Sequence, residues 1–357
     1  MDDKTLKRTF IPELGEPRSG KVRDIYESDK TMLLIASDRV SAFNRLFEET
    51  IPDKGRILNA ISKFWFDQTA DIIPNHLLSV PDPNVMVVKK CKPILIEVVM
   101  RGYMVGSLWR DYAQGKRIKC GINLPEGLKE NDPLPQSILT PTLKNKDDTE
   151  ISASELIEQK IVSQQLWDQI TEISFSLFQR GTDIAKERGL ILVDTKYEFG
   201  LDENNKLILI DEIHTPDSSR YWSQQHLGHF FDKEFIRKWL INHGQPASLP
   251  QQLIDEAREN YIKLYETILQ SPLQPLTVSI SERVIGNLVK ARLIHGFFVV
   301  VVGEHDVDLQ SVPHAVVTSD SVHKYEESLE PIIFISAHPI QTKWTVITPE
   351  HQEALLT

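Results

Sequence analysis

The sequence predicts a mixed α+β fold, and three observations predict it. Charged side chains alternate with apolar or hydroxyl side chains over residues 194–199, which is the period of two of a β-strand. A polar turn and a second β-prone segment at 207–213 follow, so the two strands should form an antiparallel hairpin. A long helix is predicted directly before this hairpin, and a very apolar stretch at 297–302 predicts a further strand near the C-terminal end.

The composition is that of an ordinary globular protein. With 357 residues, of which 41% are hydrophobic and 25% charged, the chain can form two or three domains. Its net charge of -11 argues against a general affinity for nucleic acid or an anionic membrane. Cys91 and Cys120 are too few for a disulfide framework, and neither a signal peptide nor a stretch of ~20 apolar residues occurs. A cytoplasmic protein is therefore expected.

The N-terminal part contains a glycine turn with alternating cations. Residues 15–22 nearly form a Walker A loop, but Val22 stands where a Ser or Thr would hold magnesium, and a strand is predicted to follow instead of a helix. Gly20, Lys21 and Arg23 enter that strand and can lie over nucleotide phosphates, as the Gly-rich loop of a kinase does. For this short motif alone, a surface hairpin is the simpler interpretation.

Polar residues follow the next apolar strand, predicted at 32–36. Asp38, Arg39 and Ser41 form either the rim of a site or a turn. After a further turn at 52–55, apolar residues recur at helical spacing, so the aromatic side chains there belong to the core.

An apolar strand is predicted at 94–100. Glu97 lies within it, and Arg101 lies directly at its end. Burying them is costly unless they are paired or bound to a ligand. An ion pair between the two and a ligand role for Glu97 explain the sequence equally well. Arg101 is better placed to bind an anion, because neighbouring glycines and Ser107 leave room for a phosphate or carboxylate beside its guanidinium.

A proline-rich segment at 121–148 is predicted to be one long loop, and loops of that length usually cover or form a binding site. Lys144, Asp147 and Asp148 near its end are site candidates. A capping box at Ser152 and Glu155 then predicts a single helix that runs to about residue 188. Further helices are predicted at 235–240, 253–269 and 282–292, and a further strand at 332–335. His226, His229 and His243 lack a metal-ligand pattern, so surface or capping roles are expected for them.

The predicted hairpin brings Asp194 and Asp211 together beside Lys196. Two neighbouring carboxylates repel each other unless a cation lies between them, so a divalent ion carried with nucleotide phosphates is expected. A charged, solvated face would be the simpler interpretation of an arbitrary hairpin. The continuation at 215–220 argues against it, because its hydroxyls, one carboxylate and one guanidinium suit an anionic ligand.

Together these motifs resemble the SAICAR synthetase family. The matching segments occur in the order GKVRDIYE, SDRVSAFN, IPDKG, PILIEVVMRGYMVGS, the LPEGL and TPT loop, VDTKYEFG and DEIHTPDSSRYW. They cover roughly residues 10–270. The resemblance implies a kinase-like antiparallel sheet lobe and a larger α/β domain that form an ATP cleft, and the remaining sequence predicts a small C-terminal α/β appendage. The expected domains are a nucleotide-binding lobe (1–92), a central catalytic domain (93–225), packing helices (226–272) and a segment of unassigned role (273–357).

The resemblance implies an ATP-dependent ligase of de novo purine biosynthesis. Members join L-aspartate to the carboxylate of 5-amino-1-(5-phosphoribosyl)imidazole-4-carboxylate, with an acyl phosphate expected on the way to SAICAR, ADP and phosphate. Mg²⁺ is the implied cofactor and ATP the co-substrate. The implied partners are small molecules, with neither nucleic acid nor membrane, and a homo-oligomer is left open. A kinase-type phosphotransferase and a non-catalytic nucleotide-binding protein remain as alternatives, although the H-R-D-like run of a kinase is not found.

Matching positions in the family's motifs carry the expected roles. The resemblance assigns Gly20, Lys21, Arg23 and Glu198 to ATP, and Asp194 and Asp211 to magnesium, with Lys196 beside the transferring phosphoryl group. It assigns Arg101, Ser107 and Arg220 to the imidazole ribotide. The other residues expected on the substrate side are Lys144, Asp148, Asp217, Ser218 and Ser219, with Asp38 and Ser41 in the least definite roles.

Overall fold

The computed structural model describes residues 5–11, 14–145, 148–225, 227, 231–276, 279–291 and 293–294, together with the backbone of four strands between residues 298 and 347. The mixed α+β class is confirmed by the helices and mainly antiparallel sheets of this part of the chain. The helices are α1 (Lys54–Gln68), α2 (Gly106–Ala113), α3 (Ala153–Glu158), α4 (Gln164–Glu187), α5 (Glu234–Asn242), α6 (Gln251–Leu269) and α7 (Ile280–Lys290). Among the described residues, no helix is both long and apolar enough to cross a membrane.

The first sheet is antiparallel, with the strand order β1-β2-β3-β7-β6. Its strands are β1 (Arg18–Ser19), β2 (Arg23–Glu27), β3 (Thr31–Ala36), β6 (Leu77–Asp82) and β7 (Val85–Lys89). The glycine turn joins β1 to β2, and the backbone N–H of Gly20 donates to the carbonyl of Arg23 at 2.7 Å. A strand, and not the helix of a Walker A motif, follows this turn, as predicted.

The second sheet has the order β11-β8-β12-β13, and a further strand, β14, also pairs with β12. Its strands are β8 (Lys92–Tyr103), β11 (Pro133–Leu143), β12 (Leu190–Leu201), β13 (Leu207–Ile210) and β14 (Ser219–Ser223). The predicted hairpin is confirmed, because β12 and β13 are antiparallel with Glu198 opposite Ile210.

Alternation along β8 and β12 gives this sheet two different faces. Ile96, Val98 and Tyr197 have no exposed surface and belong to the main core, to which α1, α4 and α6 also contribute. Glu97 and Arg101 of β8 and Asp194 and Lys196 of β12 lie at intervening positions and face a cavity, as does Val99. The period of two therefore separates the core from the candidate site.

The long loop expected at 121–148 is wrong in its second half, which forms β11. This strand pairs with β8 in the register Thr140 opposite Val99, and it lies at the edge of the sheet. Prolines are tolerated there because an edge strand has one side on which no N–H donor is needed. Residues before it form a small hairpin of β9 (Ile118–Lys119) and β10 (Ile122–Asn123).

The single helix expected from Ser152 is also wrong, because α3 and α4 are separate. The predicted capping box is present: the Ser152 hydroxyl accepts from the N–H of Glu155, whose side chain accepts from the N–H of Ser152. The chain then leaves the helix at Lys160, which has φ +56°. Ser163 caps α4 by accepting from the N–H of Leu166 at 3.2 Å.

Helices α1, α5, α6 and α7 confirm the predicted ones, whereas α2 was not predicted. A hairpin of β4 (Arg39–Ala42) and β5 (Arg45–Thr50) packs on α5 and α6 through a second apolar cluster. Helix α7 packs on the first sheet through Ile280, Val284 and Leu288.

The last described strands form a parallel sheet in the order β16-β15-β17-β18. They are β15 (Phe298–Val302), β16 (His314–Val317), β17 (Ile332–Ser336) and β18 (Val346–Ile347). The strands predicted at 297–302 and 332–335 correspond to β15 and β17.

Candidate active site

A cavity of about 610 Å³ opens on the charged face of the second sheet. Its walls come from β8, β12, β14, the β4–β5 hairpin and α5. The predicted site residues that line it are Lys21, Ser41, Arg101, Ser107, Asp148, Asp194, Lys196, Asp217, Ser218, Ser219 and Arg220. Residues from widely separated motifs therefore meet in one place.

One end of the cavity, which we call the arginine end, is built from Arg101, Asp194, Arg220 and Ser107. Asp194 on β12 lies opposite Arg101 on β8 and opposite Arg220 on β14. The Arg220 guanidinium donates to Asp194 Oδ2 at 2.5 Å and to Glu234 Oε2 at 2.9 Å. Three strands thus fix two guanidinium groups around a single carboxylate.

Arg101 is buried, and its contacts are hydroxyls. Its Nε donates to Thr140 Oγ1 at 2.9 Å and its Nη2 to Ser107 Oγ at 3.4 Å. Glu97 and Arg101 are both described, and no ion pair joins them, because Glu97 pairs with Lys196 at 3.0 Å. Burial lowers the pKa of Arg101, and the charge of Asp194 opposes that shift. A guanidinium held by hydroxyls keeps N–H groups for an anion.

Gly106, the first residue of α2, leaves the space that the Arg220 guanidinium occupies. The residue has φ +57°, and a Cβ there would lie 2.5 Å from Arg220 Nη2. A side chain at position 106 would therefore displace the guanidinium as well as strain the backbone.

The other end, which we call the lysine end, consists of Lys196 and Glu97, which line the cavity, and of Glu198 and Asp211, which lie beyond its lining. The Lys196 ammonium lies 2.5 Å from Glu198 Oε1, 3.0 Å from Glu97 Oε1 and 3.6 Å from Asp211 Oδ2. Burial disfavours its charge, but the three carboxylates outweigh burial and raise the pKa of Lys196 well above its ordinary value. Lys144 pairs with the second oxygen of Glu198.

Asp211 also joins the two sheets. Arg23 on β2 forms an ion pair with Asp211 and a second one, of 3.1 Å, with Glu212. Burial disfavours the carboxylate, but the charges of Arg23 and Lys196 prevail and hold the pKa of Asp211 well below its usual range. Burial and the nearby charge of Asp211 raise the pKa of Glu198.

The predicted pairing of Asp194 with Asp211 is wrong. The hairpin register sets Ile210 opposite Glu198, so β13 ends roughly 13 Å short of Asp194, four residues at about 3.3 Å each. Asp194 belongs to the arginine end and Asp211 to the lysine end. Glu198 is the carboxylate that lies beside Asp211.

Asp217 is a buried carboxylate at the cavity wall. It accepts from Lys54 Nζ at 2.8 Å and from the Tyr261 hydroxyl at 2.7 Å, and Lys233 lies 3.6 Å away. Lys233 also donates to Ser41 Oγ at 3.2 Å, and burial lowers its pKa to about 8.

Sequence reasoning missed Lys54, Lys233 and Arg237. Lys54 lay in a segment interpreted only as a turn, although it is buried at the start of α1. Lys233 and Arg237 line the cavity from α5, and two cations four residues apart were the only signal available.

Asp38 does not line the cavity, contrary to its expected substrate contact. It is fully buried, and its two oxygens accept from the N–H groups of Leu6 and Gly55, each at 2.8 Å. Arg39 pairs with Asp24 at 2.9 Å and donates to the carbonyl of Gly20. Both side chains therefore stabilise the turn and the start of α1.

Lys21 lines the cavity and donates to Asn44 Oδ1 at 2.7 Å, whereas Arg23, Lys144, Glu198 and Asp211 are not among the lining residues. Asp147, His226 and His229 are outside the described residues. Within the described part of the chain, no group of three or more His, Cys, Asp and Glu side chains is arranged to hold a metal ion.

The family model described as SAICAR synthetase matches residues 16–251. The chain belongs to the SAICAR synthetase family. It is thus an enzyme of the family of ATP-dependent ligases of purine biosynthesis, and the resemblance stated from the sequence is confirmed. Neither alternative, a kinase-type phosphotransferase or a non-catalytic protein, is favoured.

Named relatives agree with this family assignment. The phosphoribosylaminoimidazole-succinocarboxamide synthase of Legionella pneumophila (strain Paris) is 44% identical over 74% of this chain and 90% of its own length. That of Flavobacterium psychrophilum is 44% identical over 81% of this chain and 98% of its own length. The chloroplastic enzyme of Arabidopsis thaliana is 43% identical over 79% of this chain and 74% of its own length.

Solved structures of SAICAR synthetases share the fold. The SAICAR synthase of Saccharomyces cerevisiae, complexed with SAICAR, is 34% identical with a TM-score of 0.68, over 76% of this chain and all of its own. A Type-2 SAICAR synthetase in complex with ADP is 24% identical with a TM-score of 0.60, over 73% of this chain and all of its own. The second likeness concerns the fold alone.

Proposed function

We propose that this chain joins L-aspartate to the carboxylate of 5-amino-1-(5-phosphoribosyl)imidazole-4-carboxylate with consumption of ATP. The observation that carries the proposal is a single charged surface with two differently built ends. Asp194 and Glu198 mark these ends on β12, and four residues at about 3.3 Å each separate them by roughly 13 Å. That span suits a ribotide phosphate at one end and phosphoryl transfer at the other.

The arginine end binds the ribotide phosphate in this proposal. Arg101 and Arg220 provide planar forks that match phosphate oxygens, and Ser107 adds a hydroxyl. Asp194 orients Arg220 through their 2.5 Å contact. The SAICAR bound to the Saccharomyces cerevisiae enzyme supports a ribotide ligand for the family.

The lysine end serves ATP. Lys196 would lie beside the transferring phosphoryl group, and Lys21 and Arg23 would face the other phosphates, with Gly20 shaping their turn. The first sheet, within residues 1–92, would carry the nucleotide. The ADP complex of the Type-2 enzyme is consistent with this ligand class.

Asp211 and Glu198 would hold Mg²⁺ in place of the Asp194–Asp211 pair first expected. Magnesium is usually bound through one or two carboxylates plus substrate phosphates, so this pair of adjacent carboxylates fits it without a larger protein cage. When bound, the ion would neutralise charge on the phosphates.

The remaining cavity residues would receive aspartate and the imidazole. Those on this side are Asp148, Asp217, Ser218, Ser219 and Ser41, and Lys144, which pairs with Glu198, would approach from beyond the cavity lining. Lys233 and Arg237 add positive charge there, which suits a dicarboxylate amino acid.

The chemistry follows from this arrangement. A carboxylate does not react with an amine directly, because oxide would have to leave. Transfer of the γ-phosphoryl group to a carboxylate oxygen of the ribotide releases ADP and leaves an acyl phosphate. The aspartate amine attacks the acyl carbon, phosphate leaves with the electron pair of its C–O bond, and the nitrogen loses a proton. The side chains act by positioning and charge compensation.

A coupled assay of ADP release tests the proposal. ADP should form only when both the carboxylated imidazole ribotide and L-aspartate are present. With ¹⁸O in the ribotide carboxylate, one labelled oxygen should appear in the released phosphate. Steady ADP release with neither co-substrate, or unlabelled phosphate, would contradict the proposal.

We also propose that the enzyme works in the cytoplasm. Both cysteines, Cys91 and Cys120, are free thiols, which fits a reducing compartment.

A further inference from the structure

The loop that follows β13 has a strained backbone between functional carboxylates. Asp211 has φ +68° and His214 has φ +51°, and neither is a glycine. Such values persist only where the surroundings impose them, and they concentrate at functional sites. Asp217 lies three residues beyond His214 on the same loop.

The His214 ring is enclosed by three elements. The residue is fully buried, and its Nε2 lies 2.5 Å from the Tyr197 hydroxyl. Trp65 of α1 packs edge-on against it, with 4.8 Å between ring centroids. Helix α4 approaches at Gly181, where a Cβ would lie 2.4 Å from the ring.

Within the described part of the chain, the other ring nitrogen, Nδ1, is buried and makes no hydrogen bond. A histidine with half of its polar capacity unmet is a poor choice for packing alone. The hydrogen bond to Tyr197 is therefore the specific contact that fixes the ring.

Tyr197 connects this ring to the lysine end. It lies between Lys196 and Glu198 on β12, with its side chain on the opposite, core face of the strand. Its hydroxyl thus ties the back of the strand to the loop that carries Asp211. The Tyr221 hydroxyl fixes the same loop by donating to the carbonyl of His214 at 2.8 Å.

We propose that Tyr197 and His214 form a positioning pair that sets Asp211 against Lys196 and Glu198 and thereby tunes binding of the magnesium–nucleotide. Neither side chain lines the cavity, so the pair acts through the groups it holds. Burial lowers the pKa of His214 to about 3, so its ring is neutral and the link is constant near neutral pH. The inference rests on the proposed function for the assignment of the lysine end to ATP.

Tyr197→Phe removes one oxygen atom and tests the pair. Displacement of a catalytic group by about 1 Å can reduce the rate about 100-fold. The variant should therefore raise the Mg²⁺ concentration for half-maximal rate and the calorimetric Kd of Mg·ADP by about 10–100-fold. The KM of the ribotide should stay within about twofold, because the arginine end is untouched. The matched control is Tyr112→Phe, whose buried hydroxyl donates to the Pro125 carbonyl at 2.8 Å outside the cavity. It should leave both magnesium readouts unchanged.

His214→Asn is the second variant, since Asn tolerates the left-handed backbone. It should reproduce the magnesium defect. The Kd of Mg·ADP of the double variant should not exceed that of the single variant with the larger defect, because both substitutions remove the same contact. A folded Tyr197→Phe enzyme with wild-type Mg²⁺ dependence and Mg·ADP affinity would overturn the inference. Unfolding of both variants would also overturn it, because the pair would then be a requirement of the fold. Absence of ligase activity in the wild type would instead refute the proposed function, and the Mg·ADP titration would still test the pair.

Discussion

Arg23, on the first sheet, forms an ion pair with Asp211, which follows the last strand of the β12–β13 hairpin in the second sheet. Lys196 approaches the same carboxylate to 3.6 Å from the second sheet. Asp211 therefore lies where both sheets contribute positive charge, before any ligand arrives. This preorganisation suits the role in magnesium–nucleotide binding that we propose for Asp211.

Asp211→Asn should reduce kcat by about 100–1000-fold while the fold persists, because it removes the charge that faces Arg23 and Lys196. Steady-state ADP release and circular dichroism measure the two effects. Glu203→Gln, at an exposed position in the turn of the same hairpin, should keep wild-type kcat. If Asp211→Asn retained most of its activity at saturating Mg²⁺, the carboxylate of Asp211 would not contribute to catalysis.

Gly106→Ala should raise the KM of the ribotide by about 10-fold, the equivalent of one lost charge-assisted hydrogen bond. The added Cβ would meet the Arg220 guanidinium at 2.5 Å. Gly115→Ala is a matched control, because Gly115 also has positive φ but no atom of the described residues lies within 4 Å of the added Cβ. Equal ribotide KM values for the two variants would show that only backbone strain matters.

The charged face of β12 could be predicted because alternation is a local property of a strand. The partner of Asp211 could not, because it depends on the hairpin register. With Leu201 opposite Leu207, β13 ends at Ile210 opposite Glu198, and Asp211 follows directly beside that carboxylate. A sequence shows that two strands pair but not which residue ends beside which carboxylate.

Other errors share this non-local origin. The prolines of 133–143 indicated a loop, and only the edge position of β11 explains why a strand tolerates them. Lys233 lies 192 residues along the chain from Ser41, and folding of α5 against the β4–β5 hairpin brings the two together.

Two buried histidines should make the native state less stable in acid. Burial lowers the pKa of His76 to about 4 and that of His214 to about 3, whereas an unfolded histidine titrates near 6.5. Between about pH 4 and 6.5 the unfolded chain binds more protons than the native state. The contribution of the neutral histidines to the free energy of unfolding is therefore complete above pH 6.5 and decreases as the pH is lowered. Each histidine should lower the free energy of unfolding by about 2 kcal/mol between pH 7 and pH 5.

His76→Gln isolates one of these contributions. Glutamine does not titrate and can still donate to the carbonyl of Asp211, the contact that His76 Nε2 makes at 3.2 Å. Urea unfolding at pH 7 and pH 5 should therefore show a loss of stability about 2 kcal/mol smaller in the variant than in the wild type. An identical loss in both proteins would mean that His76 is not kept neutral by the fold.

Leu288→Ala should lower the free energy of unfolding by about 2–5 kcal/mol, because Leu288 of α7 is fully buried against the first sheet. No described residue of α7 lines the cavity, so kcat should be unchanged at temperatures where the variant is folded. Lys290→Ala, at an exposed position of the same helix, should leave stability within about 0.5 kcal/mol. A loss of kcat in a folded Leu288→Ala enzyme would show that α7 acts on the site.

The KM values of Arg101→Lys for the ribotide and for ATP test most directly whether these two substrates bind at opposite ends of the cavity. Lysine keeps the charge but loses the planar fork, so the KM of the ribotide should rise about 10–100-fold while the KM of ATP stays within about twofold. An equal rise in both KM values would contradict the division of the cavity into an arginine end for the ribotide and a lysine end for ATP.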